Sequence, residues 1–253
     1  MNNFIPYESS SISPSHLSSK IILMIGRGDD PTKRFDLGIK AMKYIIEDIP
    51  ECEMRIISKL EGIQYLKYLT NKLNLDDNIR FVGYSSKPEK YYQEASLHIF
   101  PTLVEAFPNI LSETLIFGIP NILVGLDYVS TAIGGSIIIY NDSPLSIAKI
   151  AKKILTNNRY RKNLGKEARK NMRKFKNKKL LKKWINLLIS IYKGDNFYDE
   201  IRKKDKKIDD ENAIKIIEKQ LILLKKRNNK FKNITIENIQ NLTYMINFLN
   251  SIK

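Results

Sequence analysis

The chain has 253 residues, 43% of them hydrophobic, and a formal net charge of +16. That length fits one medium domain with an appendage, or two small domains, and the apolar content excludes the signature of a disordered chain. A single cysteine, Cys52, excludes an intrachain disulfide framework and fits a reducing compartment.

Residues 1–20 are Ser-rich with two prolines and read as a linker. The opening Met1-Asn-Asn-Phe-Ile-Pro lacks the charged start and apolar core of a signal peptide. Ile21 to Ile25 is an apolar run bounded by Gly26, which reads as a buried strand. The stripe Phe35, Leu37, Ile39, Met42, Ile45 and Ile46 predicts a helix over 33–47. Then follow a strand over 53–58, a helix over 60–73, a strand over 78–84 and a short helix near 87–93. A strand over 97–101, a helix over 108–117 and strands over 121–125 and 136–140 come next. Helices near 143–156, 161–174 and 178–192 close the pattern. Strands alternating with helices predict a Rossmann-like, doubly wound parallel sheet of the α/β class. The expected domain spans 21–193. Beyond Gly194 a charge cluster precedes two strong helical segments, so 194–253 reads as an α-helical C-terminal appendage. The longest apolar runs are far short of the roughly 20 residues that a membrane-spanning helix needs.

The densest chemistry lies in Glu105-Ala-Phe-Pro-Asn-Ile-Leu-Ser-Glu113, followed by Thr-Leu-Ile-Phe-Gly118-Ile-Pro120. Two carboxylates stand eight positions apart across a strand-to-helix junction. Pro108 suits the first helical turn, where its missing N–H costs nothing. Glu105 falls on the loop at the strand's carboxyl end, and Glu113 about one and a half turns into the helix. In open α/β sheets ligands bind in that crevice. The first amides of the helix, at Asn109, Ile110 and Leu111, would point into it and suit an anion. Upstream, Gly26 and Gly28 flank Arg27, and Lys33 lies six residues after the arginine. That spacing lets two cations reach one pocket above the sheet. Pro31 occupies the place of the third glycine of a dinucleotide fingerprint, which argues against a dehydrogenase.

The pattern E-x-F-P-x-x-x-x-E-x-x-x-x-G-x-P resembles the donor-binding half of the large retaining glycosyltransferase family with the GT-B fold. The segment Ile21 to Ala41, with its strand, Gly26-Arg27, loop, Lys33 and helix, is similar to a second motif of that family in the same order. The resemblance covers roughly residues 16–193. It implies the C-terminal half of a GT-B fold, a nucleotide-diphosphate-sugar donor, transfer with retention of configuration, and no metal or other cofactor.

Residue by residue, the resemblance implies that Arg27 and Lys33 grip the diphosphate and stabilise the departing nucleotide, with Gly26 allowing close backbone approach. Glu113 would accept hydrogen bonds from the ribose hydroxyls, a fitting match of carboxylate to vicinal diol. Glu105 would lie beside the transferred sugar, orienting its hydroxyls and stabilising charge at the anomeric carbon. Phe107 and Pro108 would keep the loop shape; Ala106 stands where the family commonly has glycine. Asp127-Tyr128 and Gly134-Gly135 lie where the family often has an acidic and glycine-rich loop, here too divergent for a role. The donor phosphate, not a carboxylate pair, would take the acceptor's proton. The family's amino-terminal half, which normally binds the acceptor, has no counterpart before residue 16. The expected readings are therefore a fragment, a chain working with a separate acceptor-binding subunit, or a binding module without turnover. The acceptor, whether glycan, lipid or protein, is not named by the sequence.

The stretch 161–193 carries thirteen Lys or Arg and one acid, Glu167. It reads either as a solvated helix surface or as an attraction for an anionic membrane leaflet or substrate. A nucleic-acid partner is the third alternative, weakened by the lack of interleaved stacking aromatics. A cytoplasmic protein, peripheral at a membrane surface in the second reading, is expected. Of the two histidines, His16 falls in the linker and His98 in an apolar strand, where it reads as core. No His/Cys/Asp cluster has metal-ligand spacing.

Overall fold

Parallel strands covered on both faces must be apolar almost throughout, and the segments Ile21–Ile25, Leu97–Phe100 and Asn121–Val124 are. In this computed structural model six strands form one sheet: β1 (Ile21–Ile25), β2 (Glu53–Ile57), β3 (Ile79–Phe81), β4 (Leu97–Phe100), β5 (Asn121–Val124) and β6 (Ser136–Ile139). The structure describes Tyr7 and residues 12–105, 108–125, 134–175, 181–182 and 185. The strand order is β3-β2-β1-β4-β5-β6, with every neighbouring pair parallel. Ile22 faces Met54 on one side and Leu97 on the other, which fixes β1 at the centre.

The helices are α1 (Phe35–Ile45), α2 (Gln64–Lys72), α3 (Glu89–Glu94), α4 (Asn109–Ile116), α5 (Pro144–Thr156) and α6 (Asn158–Met172). Side-chain alternation along the strands divides the core. Ile22, Met24, Met54, Ile56, Ile122 and Val124 join residues of α1, α2 and α5 in one layer. Leu23, Ile25, Ile57, Phe100 and Leu123 join Tyr92 of α3 and Leu111 and Leu115 of α4 in the other. This is the doubly wound, Rossmann-like architecture that the alternating pattern predicts.

Several boundaries differ from expectation, each for a local reason. Lys33 is not on the helix: it ends a 3₁₀ turn, Pro31–Lys33, and Arg34 breaks the path with a left-handed φ of 54° before α1 begins. Pro108 is the N-cap residue of α4, in extended backbone, one place before the helix. The helix expected from residue 60 starts only at Gln64, because a turn occupies 61–62. β3 keeps three residues of the expected 78–84, as suits an edge strand. α6 starts three residues early, at an Asn157 N-cap whose side chain accepts from the Tyr160 amide. Of the helix expected over 178–192 only Leu181, Lys182 and Ile185 are described, and each is helical; the appendage 194–253 and the Asp127-Tyr128 loop lie outside the described residues.

Residues 12–20 contain neither helix nor strand, yet they are tied to the domain. The Ser15 amide donates to the Phe117 carbonyl (2.8 Å) and the His16 amide to that of Gln93 (3.1 Å). Arg161, only 3% exposed, donates through Nε to the Leu17 carbonyl (2.8 Å) and through Nη1 to those of Ile154 (3.0 Å) and Leu155 (2.6 Å) at the end of α5. Arg169 donates to the Ile116 carbonyl (3.0 Å) at the end of α4. Two of the cations counted in the basic stretch are therefore internal helix caps, fixing carbonyls that a helix end leaves unpaired. Lys162, Lys166, Lys170, Arg173 and Lys174 do face solvent.

The Gly134-Gly135 pair is a packing device. Gly135 has φ +77°, and a Cβ there would stand 2.3 Å from the Ala168 Cβ and 2.6 Å from its Cα. Backbone cannot yield at that spot, so Gly135→Ala is expected to lower stability by more than about 2 kcal/mol. Denaturant unfolding of the purified variant measures it.

Candidate active site

The crevice follows from strand order. β4 pairs with the free side of β1, so the loops after β1 and β4 diverge to opposite faces and leave a gap at the strands' carboxyl ends. The first loop leaves β1 through Gly26, whose φ of +148° suits glycine and whose amide donates to the Ile57 carbonyl (3.1 Å). The Gly28 amide donates to the Ser58 hydroxyl at the end of β2 (2.8 Å). Asp30 then caps the 3₁₀ turn: its Oδ1 accepts from the Thr32 amide (2.9 Å) and hydroxyl (2.6 Å). Those Thr32 bonds, with Arg27 and Lys33 nearby, hold the Asp30 carboxyl below its usual range. Its Oδ2 pairs with Arg27 Nη2 at 2.6 Å, and the Arg27 side chain remains 73% exposed.

The two loops are stapled together. The Thr32 carbonyl accepts both the Leu103 amide (2.9 Å) and the hydroxyl of buried Thr102 (3.3 Å). That contact sets Lys33 opposite Glu105, and the ammonium donates to Glu105 Oε1 in a pair whose side chains are both under one-fifth exposed. The adjacent Arg34, turned by its left-handed backbone, points elsewhere and pairs with Asp142 beyond β6 (2.9 Å). Of the Lys33-Arg34 doublet, lysine is the one that faces the carboxylate loop.

α4 runs back from the crevice, so its first turn, Asn109 to Leu111, lies at the sheet's carboxyl edge. The Asn109 side chain is exposed and Ile110 half-buried, while Leu111 is core, leaving only its backbone toward the crevice. Pro108 is buried; Phe107 lies outside the described residues. Glu113 is half-buried on α4, and the Tyr92 hydroxyl donates to its Oε2 at 2.6 Å. Burial pushes the Glu113 carboxyl up, the Tyr92 bond opposes this, and the nearby Glu89 charge adds to the rise. The structure thus brings Lys33 and Glu105 into contact, whereas Arg27 pairs with Asp30 and Glu113 with Tyr92. Asp30, Ser58, Thr32, Thr102 and Tyr92 are supporting residues that no motif singles out. A D-x-T spacing before Lys33 is the turn-capping signal by which Asp30 could have been found.

His98 is fully buried, with Nδ1 2.5 Å from Asn121 Oδ1, and Nε2 has no hydrogen-bond partner among the described residues. Burial lowers its pKa from 6.5 to about 4. Among the described residues no three His, Cys, Asp or Glu side chains gather around a point that could hold a metal ion. No helix among them is long and apolar enough to cross a membrane.

Residues 8–171 match the family described as glycosyl transferases group 1, and the chain belongs to that family. An uncharacterized glycosyltransferase of Haemophilus influenzae is 27% identical over 104 residues, 41% of this chain and 29% of that protein. The poly(glycerol-phosphate) alpha-glucosyltransferase of Bacillus subtilis is 25% identical over 180 residues, 67% of this chain and 26% of that protein. The matches therefore span less than a third of either relative's length. Among solved structures, S. aureus TarM superposes with a TM-score of 0.63 at 21% identity, over 74% of this chain and 37% of that one. Sucrose-phosphate synthase from Thermosynechococcus elongatus gives a TM-score of 0.64 at 18% identity, over 76% and 52%. The fold is that of the C-terminal, Rossmann-like half of GT-B glycosyltransferases.

Neutral burial of His98 has a measurable consequence. Its folded pKa lies below its unfolded one, so the unfolded chain binds the proton more readily. Stability is complete above about 6.5 and falls as pH drops toward about 4, by up to about 1.4 kcal/mol per pH unit from this group. Denaturant midpoints across that range, with imidazole ¹⁵N shifts showing a neutral His98 ring at pH 5, check it.

Proposed function

We propose that this chain is the donor-binding part of a retaining glycosyltransferase that takes a hexose-like sugar from a nucleotide diphosphate. The observation that carries this reading is the Lys33–Glu105 pair at the switch point, with Arg27 on the same loop. A cation and a carboxylate held side by side suit a ligand with adjoining phosphate and sugar. Arg27, Lys33 and the first amides of α4 supply positive charge and directed donors to the diphosphate. As the glycosidic bond breaks, negative charge grows on the leaving phosphate, and the same groups stabilise it. This requires no metal ion. Glu105 faces the sugar, where a carboxylate orients hydroxyls and offsets positive charge at the anomeric carbon. Glu113 accepts from the ribose diol.

Related structures support a nucleotide donor: TarM was solved with UDP and alpha-GlcNAc-glycerol, and the pneumococcal O-GlcNAc transferase GtfA with UDP and GlcNAc. Retention follows if the donor phosphate takes the acceptor's proton on the face the nucleotide leaves. The acceptor, a glycan, lipid or protein, is held by a further domain or subunit in this reading. A cytoplasmic site of action, with the exposed lysines of α6 near an anionic membrane surface, fits the same proposal.

Calorimetric titration with UDP-, GDP- and ADP-sugars tests the donor site. One of them binds, and Arg27→Ala weakens it about 10- to 100-fold, the equivalent of roughly 1.5–3 kcal/mol for a charged hydrogen bond. Unchanged affinity in both Arg27→Ala and Lys33→Ala would sink the reading. Glu105→Gln separates an enzyme from a binding module. In the active assembly it removes most transfer while donor affinity stays within about threefold, since its role lies at the reacting carbon.

A further inference from the structure

We propose that Tyr92 is a positioning residue for nucleotide recognition: it holds one carboxylate oxygen of Glu113 so that the other is presented to the ribose hydroxyls. This rests on the reading of Glu113 as the ribose-binding carboxylate.

Tyr92 sits on α3 and is 0% exposed, with its ring 4.9 Å from that of Phe117. Phe117 is itself fully buried and takes Tyr7 edge-on at 5.4 Å. The ring of Tyr92 therefore has one place to be, and its hydroxyl one direction to point. That hydroxyl donates to Glu113 Oε2 at 2.6 Å, the length of a charge-assisted bond. The other oxygen, Oε1, makes no hydrogen bond among the described residues. A carboxylate with one oxygen clamped and one left open is prepared for a single further donor, or for two donors from a vicinal diol.

An apolar core has little use for this arrangement. α4 buries Leu111, Ser112, Thr114, Leu115 and Ile116, and a Phe at 92 with a Leu at 113 would fill the same space without a half-buried carboxylate. Burial raises the Glu113 carboxyl and the Glu89 charge raises it further, while the Tyr92 bond opposes that rise. Glu89 in turn accepts from the Tyr7 hydroxyl at 3.0 Å, so its charge is already engaged. Tyr7, Glu89 and Tyr92 are the titratable groups coupled to Glu113, and of these Tyr92 alone donates to it. The phenol thus aims the acceptor and opposes the upward shift that burial imposes on it. Nothing in the sequence marks it, because the Tyr91-Tyr92 doublet lies far from either motif.

The test compares UDP and GDP, each against its 2′-deoxy counterpart, by calorimetry on the full chain. Inorganic pyrophosphate serves as a control that needs only the cationic loop. Wild type favours the better ribonucleotide over its deoxy form by about tenfold. Tyr92→Phe reduces that preference at least about threefold and leaves pyrophosphate affinity unchanged. Tyr92→Met, which refills the volume without a donor, replaces it if the Phe variant does not fold. A variant that loses affinity for all probes equally, or that keeps the full ribose preference, overturns the assignment. Glu113→Gln is the arm that separates the two ideas. If that change also leaves the preference intact, the ribose reading of Glu113 fails first. If it abolishes the preference while Tyr92→Phe does not, only the role of Tyr92 is wrong.

Discussion

β4 lies against β1 rather than beside β3, and the crevice exists because of that one pairing. Had the sheet grown in one direction, successive loops would have followed one another along a single face. The reversal sends α1 and α2 to one side and α3 and α4 to the other. The loops after β1 and β4 then meet at the carboxyl ends of the strands, where open α/β sheets place their crevice. Every candidate residue depends on this. Arg27 and Lys33 arrive from one loop, Glu105 from the other, and Glu113 from the helix that follows. The Thr32 carbonyl, receiving Thr102 and Leu103, converts two neighbouring loops into one rigid rim.

A basic chain need not have a basic site. The crevice cations are matched by carboxylates: Arg27 by Asp30, Lys33 by Glu105 and, at the rim, Arg34 by Asp142. The surplus charge lies elsewhere. Part of the basic stretch is not surface at all, since Arg161 and Arg169 close the ends of α5 and α4 and hold residues 12–17 in place. Counting lysines and arginines along the sequence therefore overstates the field that a partner meets at α6. It also misses the fact that two of them stitch the amino-terminal strap to the domain.

Much of this architecture was legible because it rests on period and punctuation. The largely apolar runs at 21–25, 97–101 and 121–125 marked the central strands, and the helical stripes marked their crossovers. The two motifs placed Arg27, Lys33, Glu105 and Glu113 around the carboxyl ends of the sheet. The start of α1 was not legible: the helix was expected from Lys33, whereas Asp30 and Pro31 set a 3₁₀ turn that ends in a left-handed Arg34. Such a break comes from one backbone angle, and a non-glycine residue gives no warning of it. Tyr92 and Thr102 were equally silent. Their importance arises from contacts 21 and 70 positions away, which no local pattern contains. The glycine pair at 134–135 had an identifiable type but not a reason, because the reason is the backbone of α6 passing overhead.

The pairing of Lys33 with Glu105 also bears on how a donor would enter the proposed site. Both side chains of the pair are under one-fifth exposed, so taking one partner away alone would leave the other's charge largely uncompensated. A diphosphate that displaced the carboxylate from the lysine would supply that compensation in its place. In the proposed donor reading, the ion pair holds Glu105 beside the phosphate-binding cation before a ligand arrives. A ligand that joins phosphate and sugar would then meet the cation and the carboxylate together. A free monosaccharide would meet Glu105 with its salt bridge to Lys33 intact.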